Sequence, residues 1–443
     1  MHIAICGLTS NAFPLFSCVT RHLRSLGHTV AFMEPEYSGG VCLMNEGWEY
    51  QSSRSVSMNK RPEGAIDIES LLRYDFAVVD LENNDTHKRE KQKVKLLARA
   101  KEQFQFYVER FNEEKIELVI LWAGVKMNSA LAAGAARHLR VRTCFIEKGL
   151  YPRSLQVDQA GVNARSSWRD RLLASDSAQP LQPLEYFQSL LAKEWSFRQP
   201  LQSVGKLAKV RYFLRERQFA ALSEKIYDSL VSFQRRRLFK SQSEWKLNDP
   251  KGESTRTSVA ELGYVFLPLQ VSDDAQILCH GGWISGNKML MEVVASAAMS
   301  VDPGLQVVVK PHPTEYRNLD YKSVADMYPN VLWSEDGTLE LIRSAALVVT
   351  INSTVGFEAL LFQKPVIVLG DAAYADAGLV GKARDVNELM HAMRKLRNTL
   401  VDRLRAGELA QMVYDLMVPC NFADPRQIEI EELWRRIEGL PTI

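Results

Sequence analysis

The stretch LQVVVKPHP, residues 305–313, carries a continuous apolar run into a turn that two prolines constrain. Three similar runs lie in the same half of the chain, YVFLPLQ (264–270), ALVVTINST (346–354) and KPVIVLGD (364–371), with helical segments between them. Continuously apolar strands that alternate with amphipathic helices indicate βαβ units around a parallel sheet. We therefore predict a Rossmann-like α/β domain over residues 255–400.

The N-terminal part of the chain shows the same alternation. It predicts a first Rossmann-like domain over residues 1–165, and helices over 401–443 that pack back on that domain. Two such domains offer the carboxyl ends of their strands to a shared cleft, where open α/β sheets bind their ligands. The predicted strands are HIAICGL (2–8), HTVAFME (28–34), DFAVVDL (75–81), ELVILWAG (117–124) and VRTCFIEKG (141–149), and the predicted helix is NSALAAGAARHL (128–139).

Composition excludes several other classes of protein. The chain has 443 residues and a formal net charge of only +2, which gives no reason to expect nucleic acid as a partner. Its six cysteines include no CxxC pair, so neither a disulfide framework nor a zinc site is indicated. No apolar run approaches the roughly 20 residues that a membrane span needs. We expect a cytoplasmic protein that needs no metal or other cofactor.

Residues 166–254 interrupt the strand pattern and predict a basic helical insertion. Between Lys193 and Lys246 there are 13 Lys and Arg residues against 5 Asp and Glu residues. Such a surface either docks peripherally on anionic lipid at the cytoplasmic face of the inner membrane or is an ordinary solvated helix face. The sequence leaves both interpretations open.

Polar residues follow the predicted strands of the second domain. Lys310 and His312, set between prolines, are suited to an anion, and a helix N-terminus after ALVVTI is suited to phosphate. The motifs of Walker A and GxGxxG are absent, which argues against ATPase and dehydrogenase functions. Each feature also has a purely structural interpretation, such as an N-cap serine. The candidate nucleotide-binding residues are Gln270, Lys310, His312, Asn352, Ser353, Thr354 and Glu358.

The candidate catalytic residues follow the last predicted strand of the first domain. Glu147 and Asp158 form a pair of carboxylates suited to acid/base chemistry or to a nucleophile. The alternative is a capping glutamate and a turn aspartate. Four further residues are expected to border the acceptor side of the cleft: Arg153, Asn163, Trp122 and Lys126.

Several motifs in one order resemble the capsule polysaccharide biosynthesis and export family, in particular its KpsS/LipB-like members and, more distantly, the KpsC-type retaining β-Kdo glycosyltransferases. The resemblance runs from about Trp122 to Leu379, apart from the insertion. It implies a GT-B fold and a transferase that moves Kdo from CMP-Kdo to a bacterial glycolipid, oligosaccharide or polysaccharide acceptor. The motifs are IEKGLYPRS (146–154), VDQAGVN (157–163), FLPLQVSDDAQI (266–277), WISGNKML (283–290), VKPHP (309–313), INSTVGFEALLFQKPVIVLG (351–370) and AYADAGL (373–379).

The resemblance also implies residue roles. Asp158 would be the nucleophile and Glu147 the acid/base, while the candidate nucleotide-binding residues would hold CMP. The chain departs from the expected Glu-Glu-Gly or Glu-Asp-Gly because Lys148 follows Glu147. The rival hypotheses are a transferase for another donor, such as CMP-sialic acid or a UDP-sugar, a sugar-nucleotide epimerase, and a non-catalytic capsule assembly or export factor.

Overall fold

The structure is a computed structural model that describes residues 1–53, 66–174, 182–192, 263–313, 315 and 321–440. Most of the predicted basic insertion, including the stretch from 193 to 246, lies outside the described residues. Its described parts are the helices α7 (Trp168–Ala174) and α8 (Leu184–Leu191).

The N-terminal domain is built on a six-stranded sheet. The strands β1 (His2–Cys6), β2 (Thr29–Met33), β3 (Leu118–Trp122) and β4 (Arg142–Lys148) are parallel. The strand β5 (Ser154–Asp158) returns antiparallel to β4. A short strand from the C-terminal part of the chain, β12 (Val418–Pro419), completes the sheet, so its order is β12-β5-β4-β3-β1-β2.

Helices cover both faces of this sheet. Small side chains let the helix α6 (Met127–His138) lie close to the sheet, and every residue from Met127 to Ala136 is buried. Gly7 directly follows β1 at φ +64°, and a Cβ there would lie only 3.0 Å from Ser129 of α6. The helices of this domain are α1 (Phe13–Ser25), α2 (Tyr37–Asn45), α3 (Ile68–Leu71), α4 (Arg73–Glu82), α5 (Thr86–Glu113) and α6 (Met127–His138).

The predicted strand DFAVVDL (75–81) is wrong, because these residues belong to the helix α4. A short apolar run does not by itself distinguish a strand from a helix. No residue of α4 is fully buried, so its apolar side chains pack at a partly exposed helix surface and not in the interior of a sheet. The chain therefore passes from β2 to β3 through helices in the residues that the structure describes.

The C-terminal domain holds a second sheet in which all the strand pairs are parallel. The sheet order is β11-β10-β9-β6-β7-β8, which brings the four strands predicted from the sequence, β10, β9, β6 and β7, side by side. The strands are β6 (Val265–Pro268), β7 (Val307–Lys310), β8 (Val331–Trp333), β9 (Leu347–Thr350), β10 (Val366–Val368) and β11 (Gly381–Lys382).

Eight further helices in the described part of the chain surround this sheet and return to the first. They are α9 (Ala275–His280), α10 (Asn287–Val301), α11 (Lys322–Met327), α12 (Thr338–Ser344), α13 (Thr354–Leu361), α14 (Val386–Leu396), α15 (Arg403–Leu416) and α16 (Gln427–Glu438). The last of them packs against α1, and its Leu433 and Trp434 join the core of the N-terminal domain. Across the described ranges, no helix is both long and apolar enough to cross a membrane.

The α/β, GT-B-like fold class predicted from the sequence is confirmed, since two Rossmann-like domains face each other across a cleft. One apolar core joins them. Tyr151, in the loop between β4 and β5, is only 2% exposed and packs among Phe187, Phe357 and Tyr414. Its hydroxyl donates a hydrogen bond to the Ala410 carbonyl over 2.8 Å. The loop of the first domain is thus inserted into the second.

Gly149 allows the chain to turn into this loop. Its N–H donates to the Ser154 carbonyl over 2.8 Å and closes the β4–β5 hairpin. A Cβ at this position would lie 2.0 Å from the Ser154 Oγ and 2.9 Å from the Met417 Sδ. A larger residue would have to displace the side chains of Ser154 and Met417, so glycine suits this close approach.

We expect Tyr151→Ala to lower the free energy of unfolding by about 3–5 kcal/mol, because it leaves a cavity where the two domains meet. Tyr151→Phe keeps the ring and loses only the hydrogen bond, so a loss of about 1 kcal/mol is expected. Differential scanning calorimetry measures both. Equal melting temperatures for Tyr151→Ala and the wild type would show that this contact does not hold the domains together.

Candidate functional site

A cleft of about 480 Å³ lies between the domains, at the carboxyl ends of β3 and β4 on one side and of β6, β7 and β9 on the other. Eight of the residues predicted from the sequence line it: Glu147, Asn163, Gln270, His312, Asn352, Ser353, Thr354 and Glu358. Five do not line it: Trp122, Lys126, Arg153, Asp158 and Lys310. The strand ends therefore bring most, but not all, of the candidate residues together.

The N-terminus of α13 forms part of the C-terminal wall. Ser353 is the N-cap, and its Oγ accepts a hydrogen bond from the Val355 N–H over 3.3 Å. Thr354 is exposed to the cleft. Tyr374 donates from its hydroxyl to the Ser353 carbonyl over 2.7 Å and holds the turn from behind. Backbone N–H groups at such a helix end attract an anion.

Gln270 and Asn352 form a buried network that fixes the backbone of this wall. The Gln270 Nε2 donates to the Asn352 Oδ1 over 3.1 Å. The Asn352 Nδ2 in turn donates to the carbonyls of Gln276 and His280, over 2.8 and 3.1 Å. Both side chains are more than 90% buried, so most of their polar atoms serve the protein itself. They shape the wall of the cleft and expose little surface to a ligand.

His312 and Lys310 leave the strand β7 in different directions. His312 lines the cleft, and burial lowers the pKa of its imidazole, while the charges of Asp274 and Glu315 oppose this shift. Lys310 instead donates from its Nζ to the carbonyls of Glu335 and Asp336. Its ammonium group therefore holds the loop after β8, and the structure does not place it at the cleft.

Glu358 lies one turn into α13 and faces the cleft. Burial raises the pKa of its carboxyl to about 7. Among the described residues it has no hydrogen-bond partner, so its oxygens are available to donors such as sugar hydroxyls.

Two carboxyls from opposite domains face each other across the cleft. Burial raises the pKa of Glu147, at the end of β4; Lys148 opposes this shift and Asp274 adds to it. Burial likewise raises the pKa of Asp274, and the Gln276 N–H and the charges of His312 and Lys148 oppose it. Burial thus favours the protonated form of both carboxyls, which suits groups that exchange a proton with a substrate.

Lys148 lies beside this pair of carboxyls. Burial lowers the pKa of its ammonium group, while the charges of Glu147 and Asp274 raise it. Within the described ranges, no group of three or more His, Cys, Asp and Glu side chains is placed to hold a metal ion.

Asp158 is not placed to act as the predicted nucleophile. The strand β5 runs back from the cleft, so Asp158 pairs with Phe145, two residues before Glu147. The side chain is only 3% exposed. Its Oδ1 accepts from the N–H groups of Ala160 and Gly161, over 2.7 and 3.2 Å. Its Oδ2 accepts from the N–H and Oγ of Ser167, over 2.8 and 2.7 Å.

Three other predicted residues also lie away from the cleft. Trp122 packs its ring against Phe16 and Phe422 in the core of the N-terminal domain. Lys126 and Arg153 are exposed on the surface. A position near the end of a strand does not by itself determine the direction of a side chain, so the sequence did not show that these three residues point away from the cleft.

Asn163 does reach the cleft, and Gln156 fixes it there. The Gln156 Nε2 donates to the Asn163 Oδ1 over 2.7 Å, and the Asn163 N–H donates to the Gln156 Oε1 over 2.8 Å.

Among the Lys, Arg, His, Asp and Glu residues that line the cleft, the sequence-based site prediction missed five. Two of them carried a local signal, because Lys148 directly follows Glu147 and Asp274 follows the strand β6. The sequence held no comparable signal for Arg137, Arg165 and His280, which reach the cleft through helix packing.

Comparisons with known proteins give partial matches to individual curated proteins. The chain is similar to the protein FixF of Sinorhizobium fredii (strain NBRC 101917 / NGR234), with 37% identity over 165 residues, 37% of this chain and 40% of FixF. It is also similar to the capsule polysaccharide export protein KpsS of Escherichia coli, with 35% identity over 125 residues, 26% of this chain and 32% of KpsS. The chain thus spans less than half the length of these curated relatives.

Solved structures give weaker likenesses. A β-Kdo 2,4 transferase, KpsC of Thermosulfurimonas dismutans, is 19% identical with a TM-score of 0.41, over 75% of this chain and 94% of that one. The UDP complex of MnaA from S. aureus is 12% identical with a TM-score of 0.34, over 100% of this chain and 98% of that one. The family model described as capsule polysaccharide biosynthesis protein matches residues 117–415, a range that holds the cleft-lining ends of β3, β4, β6, β7 and β9. The chain therefore belongs to the capsule polysaccharide biosynthesis protein family.

Proposed function

We propose that this protein is a glycosyltransferase that takes Kdo from CMP-Kdo and transfers it, with retention of configuration, to a bacterial glycolipid or oligosaccharide acceptor. The observation that carries the proposal is the cleft itself. An anion-binding helix end on one wall faces the carboxyl of Glu147 on the other. Family membership and the KPHP and NSTVGFE motifs support the choice of donor.

The C-terminal wall would hold the nucleotide. The phosphate lies against His312 and the first turn of α13, where N–H groups and the helix dipole favour negative charge. The ribose hydroxyls donate to Glu358. These groups stabilise the charge that develops on the phosphate as CMP departs, which is a preorganised electrostatic contribution to catalysis.

The nucleophile is assigned to Glu147, because Asp158 is buried and engaged with other donors. In the first step a Glu147 oxygen bonds to the anomeric carbon, and the bond to the phosphate oxygen breaks with its electron pair leaving on CMP. In the second step the acceptor hydroxyl oxygen attacks that carbon and the ester bond to Glu147 breaks. The hydroxyl proton passes to Asp274. Two displacements retain the configuration.

The proposal is tested by incubating the protein with CMP-Kdo generated in situ and with synthetic acceptors that end in Kdo, another sugar or a lipid. We expect mass spectrometry to show a Kdo ester on the protein and Kdo transfer to an acceptor. Thermal-shift measurements with CMP, UDP and GDP should show the largest stabilisation with CMP, because a ligand that binds only the folded state raises its stability.

Other outcomes would favour a rival hypothesis. Stabilisation by UDP or by CMP-sialic acid, without any effect of CMP-Kdo, would indicate a different donor. Failure of all these nucleotides to bind would favour a non-catalytic assembly or export factor.

We expect Glu147→Gln to lower kcat by about a hundredfold or more, because the amide can neither form the ester nor exchange a proton. CMP affinity should be unchanged, since Glu147 lies on the opposite wall. Asp158→Asn is the matched control. It replaces one accepting oxygen with an NH2 donor, which must then face the N–H of Ser167 or the N–H groups of Ala160 and Gly161, and it should lower stability by about 1–3 kcal/mol. Loss of kcat in a stably folded Asp158→Asn, with full activity in Glu147→Gln, would return the nucleophile to Asp158.

We expect His312→Ala to weaken CMP binding by about tenfold, because a hydrogen bond to a charged phosphate is lost. Lys310→Met should leave the CMP dissociation constant unchanged and lower the melting temperature, because Lys310 holds the loop after β8. Isothermal titration calorimetry measures the CMP dissociation constant of both variants and shows which side chain binds the phosphate. A tenfold loss in Lys310→Met alone would place the phosphate at Lys310.

A further inference from the structure

Three arginines of the N-terminal domain lie along one edge of the cleft. Arg137 and Arg165 line the cleft itself, and Arg73 begins the helix α4 beside it. All three side chains are exposed. Arg137 lies in the last turn of α6, and Arg165 lies in a short 3₁₀ helix, Asn163–Arg165, after β5.

Helix packing brings these separate segments to the same edge. Leu71 packs against α6 so closely that a Cβ on Gly134, one turn before Arg137, would lie 2.6 Å from its Cδ1. Arg73 follows two residues later. The helix α4 then packs on α9 of the other domain, where the Tyr74 hydroxyl donates to the Asp273 carbonyl over 3.2 Å.

Within the part of the chain that the structure describes, Arg73, Arg137 and Arg165 form no ion pair. The nearby Arg169 differs, because it pairs with Asp371 at 2.8 Å and with Asp376 at 2.7 Å. These two carboxylates are thus committed to Arg169, and no other carboxylate of the described residues pairs with the three arginines.

The charge of two of these arginines also lowers the pKa of a neighbouring histidine. His280, which ends α9 and lines the cleft, has its pKa lowered to about 4, first by burial and next by the charge of Arg165. Arg73 and Arg169 act in the same direction, and only Asp371 opposes them. His280 is therefore neutral at physiological pH, and the positive charge at this edge of the cleft comes from the arginines.

We propose that Arg73, Arg137 and Arg165 form a subsite for an anionic group, a carboxylate or a phosphate, carried by the acceptor near its reacting hydroxyl. The inference rests on the proposed function, which assigns the opposite wall to the donor nucleotide. Guanidinium groups bind carboxylate and phosphate through paired N–H donors, and they do so more strongly in a cleft than on open surface. A neutral acceptor would leave this charge uncompensated.

The test measures anion binding to the full-length protein when CMP already saturates the donor wall. D-Glucuronate is the carboxylate probe and glycerol 3-phosphate is the phosphate probe, and calorimetry gives their dissociation constants. We expect at least one probe to bind, and binding to weaken by about tenfold or more in Arg137→Gln/Arg165→Gln, because charge-assisted hydrogen bonds are lost. The control is Arg394→Gln, an exposed arginine on α14 that does not line the cleft.

The outcomes separate this inference from the proposed function. Binding of neither probe to the wild type, or equal binding to the wild type and the double variant, would overturn the subsite. A parallel loss of CMP affinity in the double variant would overturn its assignment to the acceptor, since the arginines would then serve the donor phosphate. Anion binding that depends on the arginines in a protein that does not bind CMP would support an anion subsite while contradicting the proposed donor.

Discussion

The insertion of Tyr151 into the C-terminal domain is the contact on which the site depends. Its ring packs among Phe357 and Tyr414, and its hydroxyl donates to the Ala410 carbonyl. Glu147 stands four residues earlier on β4, so burial of the ring fixes where that carboxyl meets the other domain. Aromatic burial of this kind contributes several kcal/mol. The same hydrophobic contact therefore holds the domains together and aligns the two walls of the cleft.

Charge is distributed unevenly around the cleft that this contact creates. Glu147, Lys148 and Asp274 cluster at one side, where burial raises the pKa of both carboxyls. Arginines without an ion pair among the described residues occupy the other side, where His280 is held neutral. Under the proposed function, the anionic group of the acceptor would bind at the basic side, away from the attacking carboxylate of Glu147. Binding and bond-making would then belong to different regions of one cavity.

The sequence predicted the fold class because apolar runs such as VVV at 307–309 have few alternatives to a buried parallel strand. It predicted that Ser353, His312 and Glu147 would lie at the cleft, because strand ends meet at one edge of a sheet. It did not predict that Asp158 lies away from the cleft, since nothing local showed that the chain reverses after Gly149 and carries Asp158 back along β4. The prediction for Lys310 failed for a similar reason, because its side chain contacts the loop after β8, a strand that was not predicted.

The most direct test of this division of the cleft is a crystal structure with CMP bound. We predict the phosphate within hydrogen-bond distance, about 3 Å, of His312 and of the first turn of α13, with the ribose hydroxyls at Glu358 and the cleft in front of Glu147 open to an acceptor. CMP bound against the N-terminal wall, or beside Lys310 and outside the cleft, would contradict this prediction.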